Sequence, residues 1–132
     1  MSLHQSGEDY LEAILVLQQE KGIVHSIDVA QYLGYSKPSV SRAVSLLKAE
    51  GYLTMEKDGR LELTASGEQV AQDIYERHRL LTSWLCSIGV SPQVAAEDAC
   101  KMEHDISSET FACLKQHALE YTRRKTEREC DN

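Results

Sequence analysis

Apolar residues recur along this chain at helical spacing for most of its length and alternate with polar ones in one short region. Tyr10, Leu11, Ile14, Leu15 and Leu17 lie on one face of a first helix that Gly22 ends. Ser6, three residues before Asp9, resembles a capping box at its start. A second helix, capped by Ser26 and stopped by Gly34, carries Val29, Ala30 and Leu33 inward. A third, capped by Ser36, turns Val40, Ala43, Val44 and Leu47 inward, with Pro38 in its first turn, where a missing N–H costs nothing. After Gly51 the period changes to two. Leu53-Thr54-Met55-Glu56 and Arg60-Leu61-Glu62-Leu63-Thr64, joined through Lys57-Asp58-Gly59, predict a hairpin. Helical spacing returns at Thr64 or Ala65 and runs through Val70, Ile74, Leu81, Trp84 and Leu85 to about Cys86, with Gly89 closing the helix. Ser91-Pro92 opens a further helix expected to carry Cys100, Glu103 and His104, and Ser107 opens another with Phe111, Leu114 and Ala118 inward. The charged tail from Arg123 to Asn132 is expected to fray.

These elements predict a mostly α protein: an N-terminal winged helix-turn-helix over residues 1–64, then an all-α dimerisation domain over 65–132. Two short helices separated by Gly34-Tyr35-Ser36 and followed directly by a hairpin make the winged pattern. The second of them shows Ser39, Ser41, Arg42 and Ser45 outward, and the candidate DNA-binding residues are Ser36, Lys37, Pro38, Ser39, Ser41, Arg42 and Lys48, with Lys57 and Arg60 at the hairpin tip. Small hydroxyls permit close approach to phosphates, and an arginine can fork onto a guanine or a phosphate. Double-stranded DNA is therefore the expected partner. A single helix-turn-helix reads a short half-site, which predicts a homodimer on a palindromic operator. Trp84, Leu85, Ile88 and Phe111 are the apolar candidates for the dimer interface. The same winged fold also serves as a protein-interaction module, since fold alone does not fix function.

Length and charge refine this picture. A chain of 132 residues with 42% hydrophobic content can fold as one domain, or two small ones, without staples. No apolar run approaches a membrane span, and the N-terminus lacks the build of a signal peptide, so a cytoplasmic location is expected. The net charge of −7 runs against a nucleic-acid binder until its distribution is considered. From Lys37 to Lys48 the chain holds three cations and no acid, whereas acids gather at Glu8-Asp9-Glu12 and between Glu97 and Glu109. Cys86, Cys100, Cys113 and Cys130 have no CxxC spacing, which argues against a zinc ribbon or a dithiol redox motif.

Cys100-Lys101-Met102-Glu103-His104 is the stretch that carries chemistry. On a helix, positions i, i+3 and i+4 share a face, so a thiol, a carboxylate and an imidazole would point the same way. All three bind first-row divalent ions. Further donors could come from His78 and from Asp9 and Glu12, spaced i, i+3 on the first helix. Asp9 and Glu12 can equally act as first-turn acids facing the helix dipole.

The order Asp9-x-x-Glu12, Ser36-x-Pro38-Ser39-Val40-Ser41, hairpin, Arg77-His78-Arg79-Leu80-Leu81 and Glu97-Asp98-Ala99-Cys100-Lys101-Met102-Glu103-His104 resembles the diphtheria-toxin-repressor and manganese-transport-regulator family. The likeness covers about residues 6–120. It implies a metal-dependent regulator, loaded with manganese(II) or iron(II), that represses metal-uptake genes. By position, the implied ligands are Asp9, Glu12, His78, Cys100, Glu103 and His104. Manganese-type members share the acid at position 9 but have glutamate where Cys100 stands; iron-type members have methionine at the first of these positions and cysteine at the second. Iron-type members also have an SH3-like third domain and an ancillary site, where this chain has Thr82 and Ala96. The thiol widens the expected metals to zinc and cobalt.

The expected mechanism is a divalent cation, bound between the two domains, that neutralises facing carboxylates and favours the DNA-competent form. Two alternatives compete. A thiol sensor working through Cys86, Cys100 or Cys113 would respond to oxidants without metal, and a small metallohydrolase would turn over simple esters.

Overall fold

The computed structural model describes the backbone of residues 5–130 and the side chains of residues 6–121. Eight elements follow in order: α1 (Gln5–Lys21), α2 (Ser26–Leu33), α3 (Lys37–Ala49), β1 (Leu53–Met55), β2 (Leu61–Leu63), α4 (Ala65–Ser87), α5 (Pro92–Met102) and α6 (Ser108–Cys130). They sort into two compact units that divide between Tyr75 and Glu76, inside α4.

The first unit is the winged helix-turn-helix. Leu11, Ile14, Val24, Val29, Val40, Leu47, Leu53 and Leu61 are buried in one cluster, with Val70 and Tyr75 from the first half of α4 packed against it. Each such aliphatic side chain contributes roughly 1.5–3 kcal/mol relative to exposure. Ser36 caps α3 as expected, accepting the Ser39 N–H, with Pro38 in the first turn. Helix α2 is fixed from its other side of the cap: the Asp28 carboxylate accepts the main-chain N–H of His25, the residue before Ser26. His25 rather than Ser26 is thus the capping position. The wing pairs antiparallel with Leu53 opposite Leu63 and Met55 opposite Leu61, and Leu61 adds an isolated bridge to Val24. Its turn closes with the Gly59 N–H donating to Glu56 O, and Gly59 sits at φ 90°, a left-handed value that favours glycine.

Helix α4 leaves the wing through Thr64, whose hydroxyl accepts the Gly67 N–H and donates to Gly51 O. Gly67 is buried so close to the preceding segment that a Cβ there would stand 1.9 Å from the Tyr52 carbonyl oxygen. No alanine fits without moving backbone.

The second unit holds the rest of α4 with α5 and α6. Leu81, Ala95 and Ala99 are its buried apolar positions, and Lys115 of α6 is ion-paired with Glu76 of α4.

Further sequence expectations need correction. Ser6 lies inside α1, which already begins at Gln5, so it is not the helix cap. Helix α5 ends at Met102; Glu103 is its C-cap and His104 sits in the turn that follows, so only Cys100 of the three donors lies within the helix. Helix α6 runs as far as Cys130, through most of the charged tail. The Cys130 side chain lies outside the described residues.

Candidate metal centre and nucleic-acid face

In the second unit, His78 on α4 and the residues just past the end of α5 come together. His78 Nδ1 is 2.9 Å from Glu103 Oε2, and His104 Nε2 is 3.3 Å from Glu103 Oε1. The Glu103 side chain is 0% exposed and the His104 side chain 2%. Glu103 is the buried charged residue of the described core. Among the described residues its Oε1 has no hydrogen-bond donor of good geometry. A buried carboxylate is costly unless it is paired or coordinates an ion. Two imidazoles flanking one carboxylate, with a carboxylate oxygen to spare, fit a divalent transition metal by donor chemistry. Cys100, one turn earlier on α5, is exposed. The Glu103 main chain keeps helical angles (φ −60°, ψ −26°), so the i, i+3 relation of Cys100 and Glu103 survives the end of the helix.

In the first unit, Asp9 and Glu12 are half-buried on α1. Tyr32 of α2 senses the acid: its hydroxyl is held above the usual range first by burial and then by the Glu12 and Glu20 carboxylates. Thr82, at the ancillary position, donates its hydroxyl to His78 O along its own helix.

Sequence reasoning quoted Arg77 in a motif but gave it no role. In the structure its Nη1 donates to Glu103 O at 3.0 Å and to Ile106 O at 2.8 Å, Nη2 lies 3.5 Å from Ser108 Oγ, and the guanidinium sits over the Phe111 ring, 5.2 Å from its centroid. The Glu103 carbonyl is at the end of α5, which cannot satisfy it internally, and the Ile106 carbonyl lies in the connection before α6. The available signal was positional: a cation beside a candidate ligand.

On α3, Lys37, Pro38, Ser41, Arg42 and Lys48 are all exposed, with Arg42 opposite the buried Val40, Val44 and Leu47. Ser36 and Ser39 are engaged with each other, hydroxyl to hydroxyl at 2.9 Å. Lys57 is exposed at the wing tip, while Arg60 is half-buried and turned toward Asp58, Nε to Oδ2 at 3.4 Å. The Asp58 carboxyl is held below its usual range, chiefly by the Arg60 main-chain N–H. Of the interface candidates, Ile88 is 62% exposed, Trp84 and Leu85 are half-buried, and Phe111 already carries the Arg77 guanidinium.

Taken one unit at a time, the structure defines a winged helix-turn-helix protein with a donor-rich helical second unit. Comparison with known proteins gives the family. Residues 2–61 match the family described as "Iron dependent repressor, N-terminal DNA binding domain", and residues 64–126 match "Iron dependent repressor, metal binding and dimerisation domain". The chain is 40% identical over 108 residues to the transcriptional regulator MntR of Escherichia coli, covering 82% of this chain and 70% of that one. It is 38% identical over 102 residues to the HTH-type transcriptional regulator MntR of Geobacillus kaustophilus, covering 77% and 72%. Among solved structures, the manganese regulator SloR matches with a TM-score of 0.77 and 27% identity over 92% of this chain, and ScaR with bound zinc with 0.73 and 30% over 87%. The chain spans about half the length of those two structures, 55% and 54%. The chain belongs to the iron-dependent-repressor family of metal-dependent transcriptional regulators. Among the described residues no helix is long and apolar enough to cross a membrane.

Proposed function

We propose that this chain is a cytoplasmic, homodimeric repressor of metal-homeostasis genes whose grip on a palindromic operator is set by a divalent cation, and that it acts by binding and not by catalysis. The proposed ligands are Asp9 and Glu12 from the domain of residues 1–64 and His78, Cys100, Glu103 and His104 from the domain of residues 65–132. The observation that carries the reading is Glu103: a fully buried carboxylate between two imidazoles, with Oε1 lacking a hydrogen bond among the described residues, in a chain that also carries a winged helix-turn-helix.

Asp9, Glu12 and Glu103 bring negative charge, and Cys100 adds more when it is a thiolate. A bound divalent cation supplies the positive charge that offsets these groups. Glu103 orients His78 through Nδ1, which fixes that ring's tautomer and direction. Occupancy shifts the population toward the DNA-competent form only by the difference in affinity between the two forms. On DNA, Ser39, Ser41 and Arg42 of α3 meet the groove, while Lys37, Lys48, Lys57 and Arg60 meet phosphates. Ser36 and Pro38 set the start of the reading helix. Trp84, Leu85 and Ile88 contribute to the dimer contact, with Phe111 beside them.

SloR is a manganese regulator, and ScaR has been solved with zinc and with cadmium. Cys100 adds a softer donor to this site, so iron(II), zinc and cobalt join manganese as candidate activators. The test is operator-fragment binding at fixed salt, titrated separately with manganese, iron(II), zinc and cobalt, for the wild type and Glu103→Ala. Metal-dependent binding by the wild type that is lost in the variant is expected. A Glu103→Ala protein as metal-responsive as the wild type would exclude the mechanism, and oxidant-responsive, chelator-insensitive binding would favour the thiol-sensor reading.

A further inference from the structure

We infer that Arg77 is a positioning residue of the metal centre: it holds the main chain of Glu103 and the turn to Ile106, and thereby sets metal affinity without touching the ion. The inference rests on the proposed ligand roles of His78, Glu103 and His104.

Helix α5 stops one residue before Glu103: the Glu103 N–H still bonds back to Ala99 O, but the Glu103 carbonyl and the turn that follows lie beyond the helical ladder. Left alone, the last carbonyls of a helix look to water or to a cation for partners. Arg77 supplies two donors to this turn from one nitrogen, reaching the carbonyls of Glu103 and Ile106. The guanidinium is itself held in place, because the Phe111 ring of α6 lies beneath it. His78, the next residue on α4, makes the contact to the Glu103 carboxylate. Consecutive residues of one rigid helix therefore fix both the main chain and the side chain of Glu103. Arginine suits this task and lysine does not, since only the planar fork can place several N–H groups at set directions. Loss of a partner that orients a metal ligand typically lowers affinity about ten- to hundredfold.

The experiment measures manganese and zinc affinity by competition with a chelating dye for the full chain, with Arg77→Ala, Arg77→Lys and Glu76→Gln as variants. Glu76→Gln is the packing control, because it removes the Lys115 ion pair that joins the same two helices, α4 and α6. Expected are a loss of about ten- to hundredfold in Arg77→Ala and a smaller loss in the folded Arg77→Lys, with Glu76→Gln at wild-type affinity. Operator affinity at saturating metal should stay within about twofold of wild type, the mark of a defect confined to loading. Wild-type affinity in both Arg77 variants overturns the proposal, as does an equal loss in Glu76→Gln, which would show general loosening of the unit. If the wild type itself binds neither metal, the functional reading beneath the proposal falls with it.

Discussion

His78 Nδ1 and Glu103 Oε2 lie 2.9 Å apart although 25 residues separate them in the chain. This pairing places an imidazole from α4 against a carboxylate with no exposed surface, and the neighbouring His104 brings a second ring to the other oxygen. Removal of either member should therefore be felt first as lost metal binding. At a free metal concentration of 100 times Kd, a bound ion stabilises a folded protein by about 2.7 kcal/mol. Thermal melts with and without manganese or zinc should show a metal-induced rise in Tm for the wild type and little or none for His78→Ala and Glu103→Gln. An undiminished rise in both variants would place the ion elsewhere.

Gly67 tests a different link, between sequence and packing. Within a helix, alanine is favoured over glycine by about 1 kcal/mol, so propensity alone predicts that Gly67→Ala stabilises. The contact predicts the opposite, because the new Cβ would meet the Tyr52 carbonyl oxygen, a backbone atom that cannot swing aside. Overpacking of this kind costs about 1–3 kcal/mol. Urea denaturation of Gly67→Ala should show a lower midpoint; a raised midpoint would mean that propensity wins.

What could be read from the sequence, and what could not, follows the range of the forces involved. The Ser36 cap, the Pro38 first turn and the Asp58-Gly59 hairpin are set by neighbours a few residues away, and each stands where the sequence put it. The end of α5 was not legible in the same way. Cys100-x-x-Glu103-His104 continues a helical spacing without a breaker, and the arginine that takes up the freed carbonyls lies on α4, 26 residues from Glu103. The donors His78, Glu103 and His104 were recognisable as residue types, yet only the fold shows that both histidines address one carboxylate. The Gly67 requirement was equally hidden, because glycine in a helix reads as a weakness until the Tyr52 carbonyl is seen beside it.

Asp28 gives the N-terminal unit an acid-sensitive joint. Its carboxylate accepts a hydrogen bond from the Lys21 ammonium and another from the His25 N–H, both at 2.8 Å. These partners, the lysine first, hold the carboxyl below its ordinary range. A pKa that is lower in the folded than in the unfolded chain contributes stability above the unfolded value of about 3.9, and that contribution is lost as pH falls through the folded value. Asp28→Ala should cost about 0.5–2 kcal/mol at pH 7, the usual range for a lost helix cap. In urea titrations across pH, the gap between wild type and variant should narrow on the acid side of pH 4. A gap that widens toward acid would contradict the assignment.

Cys100 and Cys113 are both exposed thiols, but only Cys100 belongs to the proposed ligand set. A thiolate engaged by a metal is a poorer target for alkylation than a free one. Saturating zinc should therefore slow iodoacetamide modification of Cys100 and leave Cys113 unchanged, as read by peptide mass spectrometry on a single sample. Equal protection of both would indicate a general conformational effect, and protection of neither would remove Cys100 from the ligands.

Recognition of DNA should separate into a term that reads sequence and a term that reads charge, and α3 presents both. Arg42 stands on the exposed side of that helix, opposite Val40, Val44 and Leu47, and can fork onto a guanine edge. Lys48, in the last turn of the same helix, offers a point charge suited to a phosphate. Arg42→Ala should weaken binding to the intact operator by about 1–3 kcal/mol and relax discrimination at one base pair of each half-site. Lys48→Ala should weaken operator and unrelated DNA alike and reduce the slope of log affinity against log salt by about one. Competition binding at several salt concentrations, with operator and scrambled duplexes side by side, distinguishes the two. A loss of base discrimination in Lys48→Ala with none in Arg42→Ala would reverse the assignment and move the reading contact toward the C-terminal end of α3.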